Sequence, residues 1–178
     1  MGVSGVGKSS IIKELLTMDS RFIYIVPFTT RPSRGIEETK ISISDQVMDD
    51  LWNRGELLSV NEIHGIRCGT PRSSITRVLE QKNIPVVDWP LSYLEVMKIA
   101  FPDQLYIVYV LPPSNEILQQ RLMKEARHTN GNRLQNAYKE LEAYKSLPQR
   151  ICDLEIVSEE NQILKIAQLV YAGYLSSL

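Results

Sequence analysis

The sequence predicts an α/β fold of three layers, a parallel sheet with helices on both faces and a small extra lobe. Three observations point there. Short apolar runs alternate along the chain with stretches of helical periodicity. A glycine-rich turn ending in Lys-Ser leads directly into the first helical stretch. A long polar segment between Phe28 and Thr70 interrupts the alternation. The chain has 178 residues and 43% of them are hydrophobic, enough for one core with small lobes on it.

The elements follow in order. The first helix begins near Gly7 and runs to about Thr17, with Ile11, Ile12, Leu15 and Leu16 on its buried side. Phe22–Val26 is a short strand. Thr29–Ile41, polar and rich in Arg and Glu, reads as loop. Asp45 caps a helix to about Asn53, and Arg54-Gly55 ends it. Glu56–Val60 and Glu62–Arg67 read as two short strands around a turn. Pro71 starts a helix with Ile75, Val78 and Leu79 inside. Ile84–Val87 is a buried strand ending at Asp88, and Leu91–Ala100 is helical. Leu105–Leu111 is a strand, closed by Pro112-Pro113. Ser114 caps a helix reaching about Arg127. After a polar break at His128–Asn132, a helix runs from about Arg133 to Lys145. A strand at Leu154–Val157 and a helix at Asn161–Leu175 complete the chain.

Composition narrows the function. The net charge of -1 lacks the broad positive field that nonspecific nucleic-acid binding needs, so no nucleic-acid partner is expected. No apolar run has the length of a membrane-spanning helix, and no membrane partner is expected either. Cys68 and Cys152 are too few and too far apart for a disulfide framework or a zinc site. They read as reduced thiols, and the absence of an apparent signal peptide agrees with a cytoplasmic protein.

The chemistry enters at Gly2-Val3-Ser4-Gly5-Val6-Gly7-Lys8-Ser9, which fits G-x-x-x-x-G-K-[ST] and places the fold among P-loop NTPases. The glycines let successive N–H groups converge on phosphate oxygens, and the helix that follows points its positive end at the same anion. ATP phosphates are therefore assigned to Gly2, Ser4, Gly5, Val6, Gly7, Lys8, Ser9 and Ser10. Lys8 reaches the β- and γ-phosphates, and the Ser9 hydroxyl is the expected ligand of Mg²⁺. Such a loop normally follows a strand, and here only Met1 precedes it. The expectation is that the sequence starts at an internal Met and the native chain is longer.

Further segments occur in order over nearly the whole chain. They are Thr29-Thr30-Arg31-Pro32-Ser33-Arg34-Gly35, Gly55-Glu56-Leu57-Leu58, His64-Gly65, Cys68-Gly69-Thr70-Pro71-Arg72, Val86-Val87-Asp88 and Leu111-Pro112-Pro113-Ser114. Together with the P-loop they make the sequence resemble the guanylate kinases. The resemblance implies transfer of the γ-phosphate of ATP to GMP, with Mg²⁺. It implies a core at 1–27 and 71–178, a monophosphate-binding lobe at 28–70 and an arginine-bearing lid at about 121–135. Arg31 and Arg34 match the arginines that grip the acceptor's phosphate, as guanidinium forks suit. Arg121, Arg127 and Arg133 match the arginines that neutralise the transferred phosphoryl group, Arg127 with a spacing shifted by about two residues. No strong general base is needed, because the attacking atom is already an anionic phosphate oxygen.

The departures lie in the acceptor pocket. Thr70 and Asp88 match a hydroxyl and a carboxylate that read guanine. Ser59 stands where the family has a glutamate, Cys68 where it has a tyrosine contacting the acceptor phosphate, and Pro27 and Pro90 replace a serine and an aspartate. A second tyrosine is lost near Ile41–Ile43. Either guanine is still bound, with Asn61, Glu62 or a water in the vacated roles, or the acceptor is another monophosphate. Asp88 has three readings: base recognition, an acid serving Mg²⁺ through water, or a cap for the helix that follows. Trp89 either walls the base pocket or packs in the core. His64 reads as structural and His128 as solvated. The remaining alternative is a non-catalytic guanylate-kinase-like binding module, which the presence of Lys8 and Ser9 opposes.

Overall fold

The computed structural model of the chain describes residues 1–32, 40–63, 65–124, 132–147 and 151–178. Arg34, Arg127, His64 and His128, and residues 125–131 of the expected lid, lie outside the described residues. The chain forms two compact units. One comprises Met1–Met18, Asp88–Leu94 and Asp103–Leu178; the other comprises Asp19–Val87 and Glu95–Pro102. The polar segment 28–70 falls inside the second unit, which also takes in residues on either side of it.

In the first unit, helix α1 (Lys8–Met18) follows the glycine-rich turn. Its apolar stripe buries Ile11 and Leu15, and it packs on α7 (Ile163–Ser176), which buries Ile166, Ala167 and Val170. Strand β7 (Val108–Leu111) pairs in parallel with β8 (Leu154–Val157), Val110 opposite Ile156. Strand β7 starts three residues later than the sequence suggests. The chain just before it is held differently: the Ile107 N–H donates to the Asp153 carboxylate at 2.6 Å. The other edge of β7 is engaged by Met1, whose N–H group donates to Val108 O at 2.7 Å and whose carbonyl accepts from Val110 N at 3.0 Å. Helix α5 (Asn115–Lys124) begins as predicted, with the Ser114 hydroxyl accepting from Ile117 N. Helix α6 (Asn132–Lys145) is fixed by Tyr144, whose ring stacks on Tyr109 of β7 with centroids 3.4 Å apart and whose hydroxyl donates to Glu155 at 2.6 Å.

The second unit holds the parallel pair β1 (Phe22–Tyr24) and β6 (Ile84–Val86). Its larger sheet has four strands in the order β3-β2-β5-β4. These are β2 (Phe28–Thr29), β3 (Ile41–Ser42), β4 (Leu57–Ile63) and β5 (Ile66–Pro71). Two expectations need correction here. Residues at both ends of the expected loop Thr29–Ile41 are strand, because Phe28–Thr29 pairs with Ile41–Ser42 on one side and with β5 on the other. The hairpin turns at Gly65, not at Asn61, because Gly65 takes φ 73°, a backbone position that favours glycine.

Helix α2 (Asp45–Asn53) is capped by Ser44 instead of Asp45: Ser44 has extended backbone and its hydroxyl accepts from Val47 N at 3.2 Å. The helix lies on the sheet face that carries Gly69. A Cβ on Gly69 would come within 2.8 Å of the Met48 sulfur, so a larger residue there would have to displace the Met48 side chain of α2. Helix α3 (Arg72–Glu80) starts after Pro71 as expected and buries Ile75 and Val78. The expected helix 91–100 divides into a 3₁₀ turn at Leu91–Tyr93 and helix α4 (Leu94–Ala100). Trp89 belongs to the core: it is buried, and its indole N–H donates to Tyr93 O at 2.8 Å.

Leu118 on α5 is fully buried in the cluster formed by Val3, Val6, Ile11 and Val110. Replacing Leu118 by Ala is expected to cost about 2–5 kcal/mol through lost burial and the cavity left behind. Urea unfolding should show the midpoint falling with little change in slope.

Candidate functional site

The glycine-rich turn is built to leave its amides available. Val3 and Val6 are fully buried and anchor the loop in the core between its glycines. Gly2 sits at φ 134°, and a Cβ there would lie 2.4 Å from Val110 O, so the loop lies directly on the β7 backbone. Among the described residues, the first amides of α1 to return to the loop are those of Ser10 and Ile11, both donating to Gly7 O at 3.0 and 3.1 Å. The amides ahead of them stand at the positive end of the helix, a place suited to a phosphate. Ser4 is exposed on the turn, and Ser9 and Ser10 are exposed on the first turn of α1.

Lys8 folds back over the loop. Its Nζ donates to Gly2 O at 2.5 Å and Val3 O at 3.1 Å, and stands 3.9 Å from the Asp88 carboxylate. Asp88 caps no helix, since the N-cap position before the 3₁₀ turn is Pro90. The carboxylate therefore shares its surroundings with the phosphate-loop lysine.

Glu140 on α6 is a third charged group in this neighbourhood, and the sequence reading missed it. Burial pushes its carboxyl above the ordinary range; the Lys8 charge opposes that shift and the Asp88 charge adds to it. Its signal in sequence was a lone acid within the spacing Arg133, Ala137, Glu140, Tyr144, which is one face of a helix. Arg133 lies at the head of that face, half-buried. Arg121 is also placed beside the loop. Its guanidinium donates to Ser158 Oγ at 3.1 Å and Ser158 O at 2.8 Å, and Ser158 Oγ is 3.6 Å from the position of a Cβ on Gly7. Ser158, fully buried at the end of β8, is a second residue the sequence reading did not single out.

The other expected residues sit in the second unit, on the sheet face opposite α2. Strand register puts Thr29 opposite Cys68 and Ser59 opposite Thr70, so all four side chains share one face. Thr29, Ser59 and Thr70 are buried polar side chains, at 5%, 1% and 6% exposure. A sheet face whose buried positions are hydroxyls suits a polar ligand better than a hydrocarbon core. Thr29 Oγ1 accepts from the Arg31 backbone N–H at 3.3 Å, fixing the start of the arginine segment, and the Arg31 side chain is exposed. The structure thus gathers Lys8, Ser9, Asp88 and Arg121 in one unit, and Ser59, Thr70 and Arg31 in the other. Among the described residues no cluster of three or more His, Cys, Asp or Glu could hold a metal, and no helix is long and apolar enough to cross a membrane.

Comparison with known proteins gives a consistent result. The family model described as guanylate kinase matches residues 1–172. A guanylate kinase of Nostoc sp. is 30% identical over 165 residues, covering 89% of this chain and 80% of its own. One of Thermotoga maritima is 33% identical over 146 residues, covering 79% and 70%. Among solved structures, a guanylate kinase from Anaplasma phagocytophilum superposes with a TM-score of 0.72 at 18% identity, covering 94% of this chain and 80% of that one.

The elevated Glu140 carboxyl has a consequence for stability. A carboxyl raised by folding binds more protons in the folded than in the unfolded state. Its contribution to stability is therefore greatest at low pH and is lost as pH climbs from the ordinary value of 4.5 through the raised one. The difference in Tm between Glu140→Gln and the parent should grow in favour of the variant from pH 4 towards pH 8. A constant difference would show that Glu140 does not titrate differently on folding.

Proposed function

The chain belongs to the guanylate kinase family, and we propose that it transfers the γ-phosphoryl group of ATP to GMP through the residues gathered above. The observation that carries the reading is the phosphate loop itself: buried Val3 and Val6, the amides at the head of α1, and Lys8 held against the loop carbonyls.

Gly2, Ser4, Gly5, Val6, Gly7, Lys8, Ser9 and Ser10 would cradle the ATP phosphates. Lys8 would exchange its two carbonyl partners for phosphate oxygens, a gain because both ends of the new contact are charged. Arg121, already tethered to Ser158 beside Gly7, would hold positive charge near the transferred group without having to be ordered first. Arg133 and Arg127 are the further cations proposed for the same task. Segment 28–70 would act as the monophosphate-binding lobe and 121–135 as the lid. On the acceptor side, Arg31 and Arg34 would grip the phosphate, and Thr70, Ser59 and Asp88 would read the base. Water exclusion and alignment carry the rate, since the acceptor phosphate is already nucleophilic.

Mg²⁺ fits the donor chemistry of the loop: Ser9 offers a hydroxyl oxygen, and this ion favours a few protein oxygens while keeping waters. When bound with ATP it would neutralise charge on the β- and γ-phosphates.

Release of ADP from MgATP in the presence of GMP, dGMP, AMP, CMP or UMP tests the reading. GMP should be preferred; a different preferred acceptor would mean that Ser59, Cys68 and Pro90 mark a change of substrate. Lys8→Ala should lower turnover by at least about 10²-fold with an unchanged far-UV spectrum, and near-normal turnover would remove Lys8 from the mechanism. Arg31→Ala should raise the KM for GMP and leave that for ATP nearly unchanged. An unchanged acceptor KM would take Arg31 out of the site.

A further inference from the structure

We infer that Lys40 is an additional ligand of the acceptor's phosphate, held ready by the Cys68 thiol at the edge of the polar sheet face. The inference rests on the kinase reading above and adds a binding residue to it. The sheet register carries the first part of the case. Ser42 pairs with Thr29 and Thr29 with Cys68, so these side chains share the face opposite α2. Lys40, two residues before Ser42, falls on the same face by strand alternation. Its Nζ reaches across β2 to lie 3.0 Å from Cys68 Sγ. Cys68 Sγ is 3.6 Å from Thr29 Oγ1, which in turn accepts from the Arg31 backbone. One ammonium, one thiol and one hydroxyl thus meet at the point where the Arg31 segment leaves the sheet.

Charge carries the second part. Arg67, on the opposite face of β5, is neutralised by Asp49 at 2.7 Å and Asp45 at 3.5 Å, both from α2. Among the described residues Lys40 makes no ion pair, and its partner is a thiol, a weak acceptor that occupies one of three N–H donors. Among the described residues the ammonium therefore keeps both its charge and most of its donor capacity, on a face whose buried groups are neutral hydroxyls. A phosphate monoester dianion supplies what is missing: charge and several strong acceptor oxygens. The place is apt, since the segment carrying Arg31, proposed above for the same phosphate, is anchored to Thr29 beside Cys68.

The test is steady-state kinetics of the full chain with Lys40→Ala, Lys40→Gln and Lys40→Arg, varying GMP and ATP separately. Lys40 is exposed, so the variants should keep the parent's Tm. Removing the ammonium should raise the KM for GMP about 10- to 100-fold, the range for a charge-assisted hydrogen bond. The KM for ATP and kcat should stay within about twofold. Lys40→Arg should recover most of the loss, and in Lys40→Ala the KM for GMP should depend less steeply on salt. Calorimetric titration with GMP alone should show the same weakening without turnover. If the parent phosphorylates GMP and the KM for GMP is unchanged in Lys40→Ala, the inference is wrong and the kinase reading stands. If the parent phosphorylates no nucleotide, the kinase reading fails and takes this inference with it. A fall in kcat and a rise in both KM values together would make Lys40 a structural residue and overturn its role as a ligand.

Discussion

The turn from Gly2 to Gly7 has to lie against the backbone of β7 with nothing between them. Gly2 meets the Val110 carbonyl at a distance that a Cβ would not survive, while Val3 and Val6 turn inward and are completely buried. That seating orients the loop: the apolar side chains point down, and the amides and Lys8 point up. It also fixes α1, which emerges from the loop and packs its stripe of Ile11 and Leu15 towards α7. Most of the first unit can be understood as support for this one turn. Helix α5 contributes Leu118 and Leu122 beneath Gly5, and β8 ends at Ser158 beside Gly7.

Charge in the first unit is arranged around the same turn. Lys8, Asp88 and Glu140 are close enough to influence one another, and Glu140 is buried enough that its proton is held more tightly than in water. Arg121 is pinned by two hydrogen bonds to Ser158, so its guanidinium costs little to order when an anion arrives. Helix α6 carries Glu140 and Arg133 on one face, and the stacking of Tyr144 on Tyr109 sets the rotation of that face.

The second unit solves a different problem. Its four-stranded sheet is two-sided by design of the pleat. One side takes Met48 of α2 against Gly69 and pairs Arg67 with two aspartates; the other holds hydroxyls, a thiol and a lysine. Because side chains alternate along β5, the choice of Gly69 for packing and of Cys68 and Thr70 for the polar face are one choice, made by register.

Much of this was legible in the sequence. The phosphate loop, the helix after it, the strands at Ile84 and Leu154 and the helix starting after Pro71 follow from short-range rules: a motif with its own chemistry, an apolar period, a proline that favours a helix start. What the sequence could not decide depended on partners distant along the chain. Phe28–Thr29 and Ile41–Ser42 are too short to announce themselves; the first becomes a strand against β5 and the second against the first. Glu140 and Ser158 looked like ordinary polar residues until folding brought one towards Lys8 and Asp88 and the other against Arg121. Trp89 could have walled a pocket or filled the core, the commoner place for an indole, and its burial with the bond to the Tyr93 carbonyl puts it in the core. Lys40 lies at the end of a segment that reads as loop, and only the folded chain brings it to Cys68. Local pattern determines which elements form, because it acts through neighbouring residues. Which charges meet is a property of the assembled fold, because it depends on register and burial.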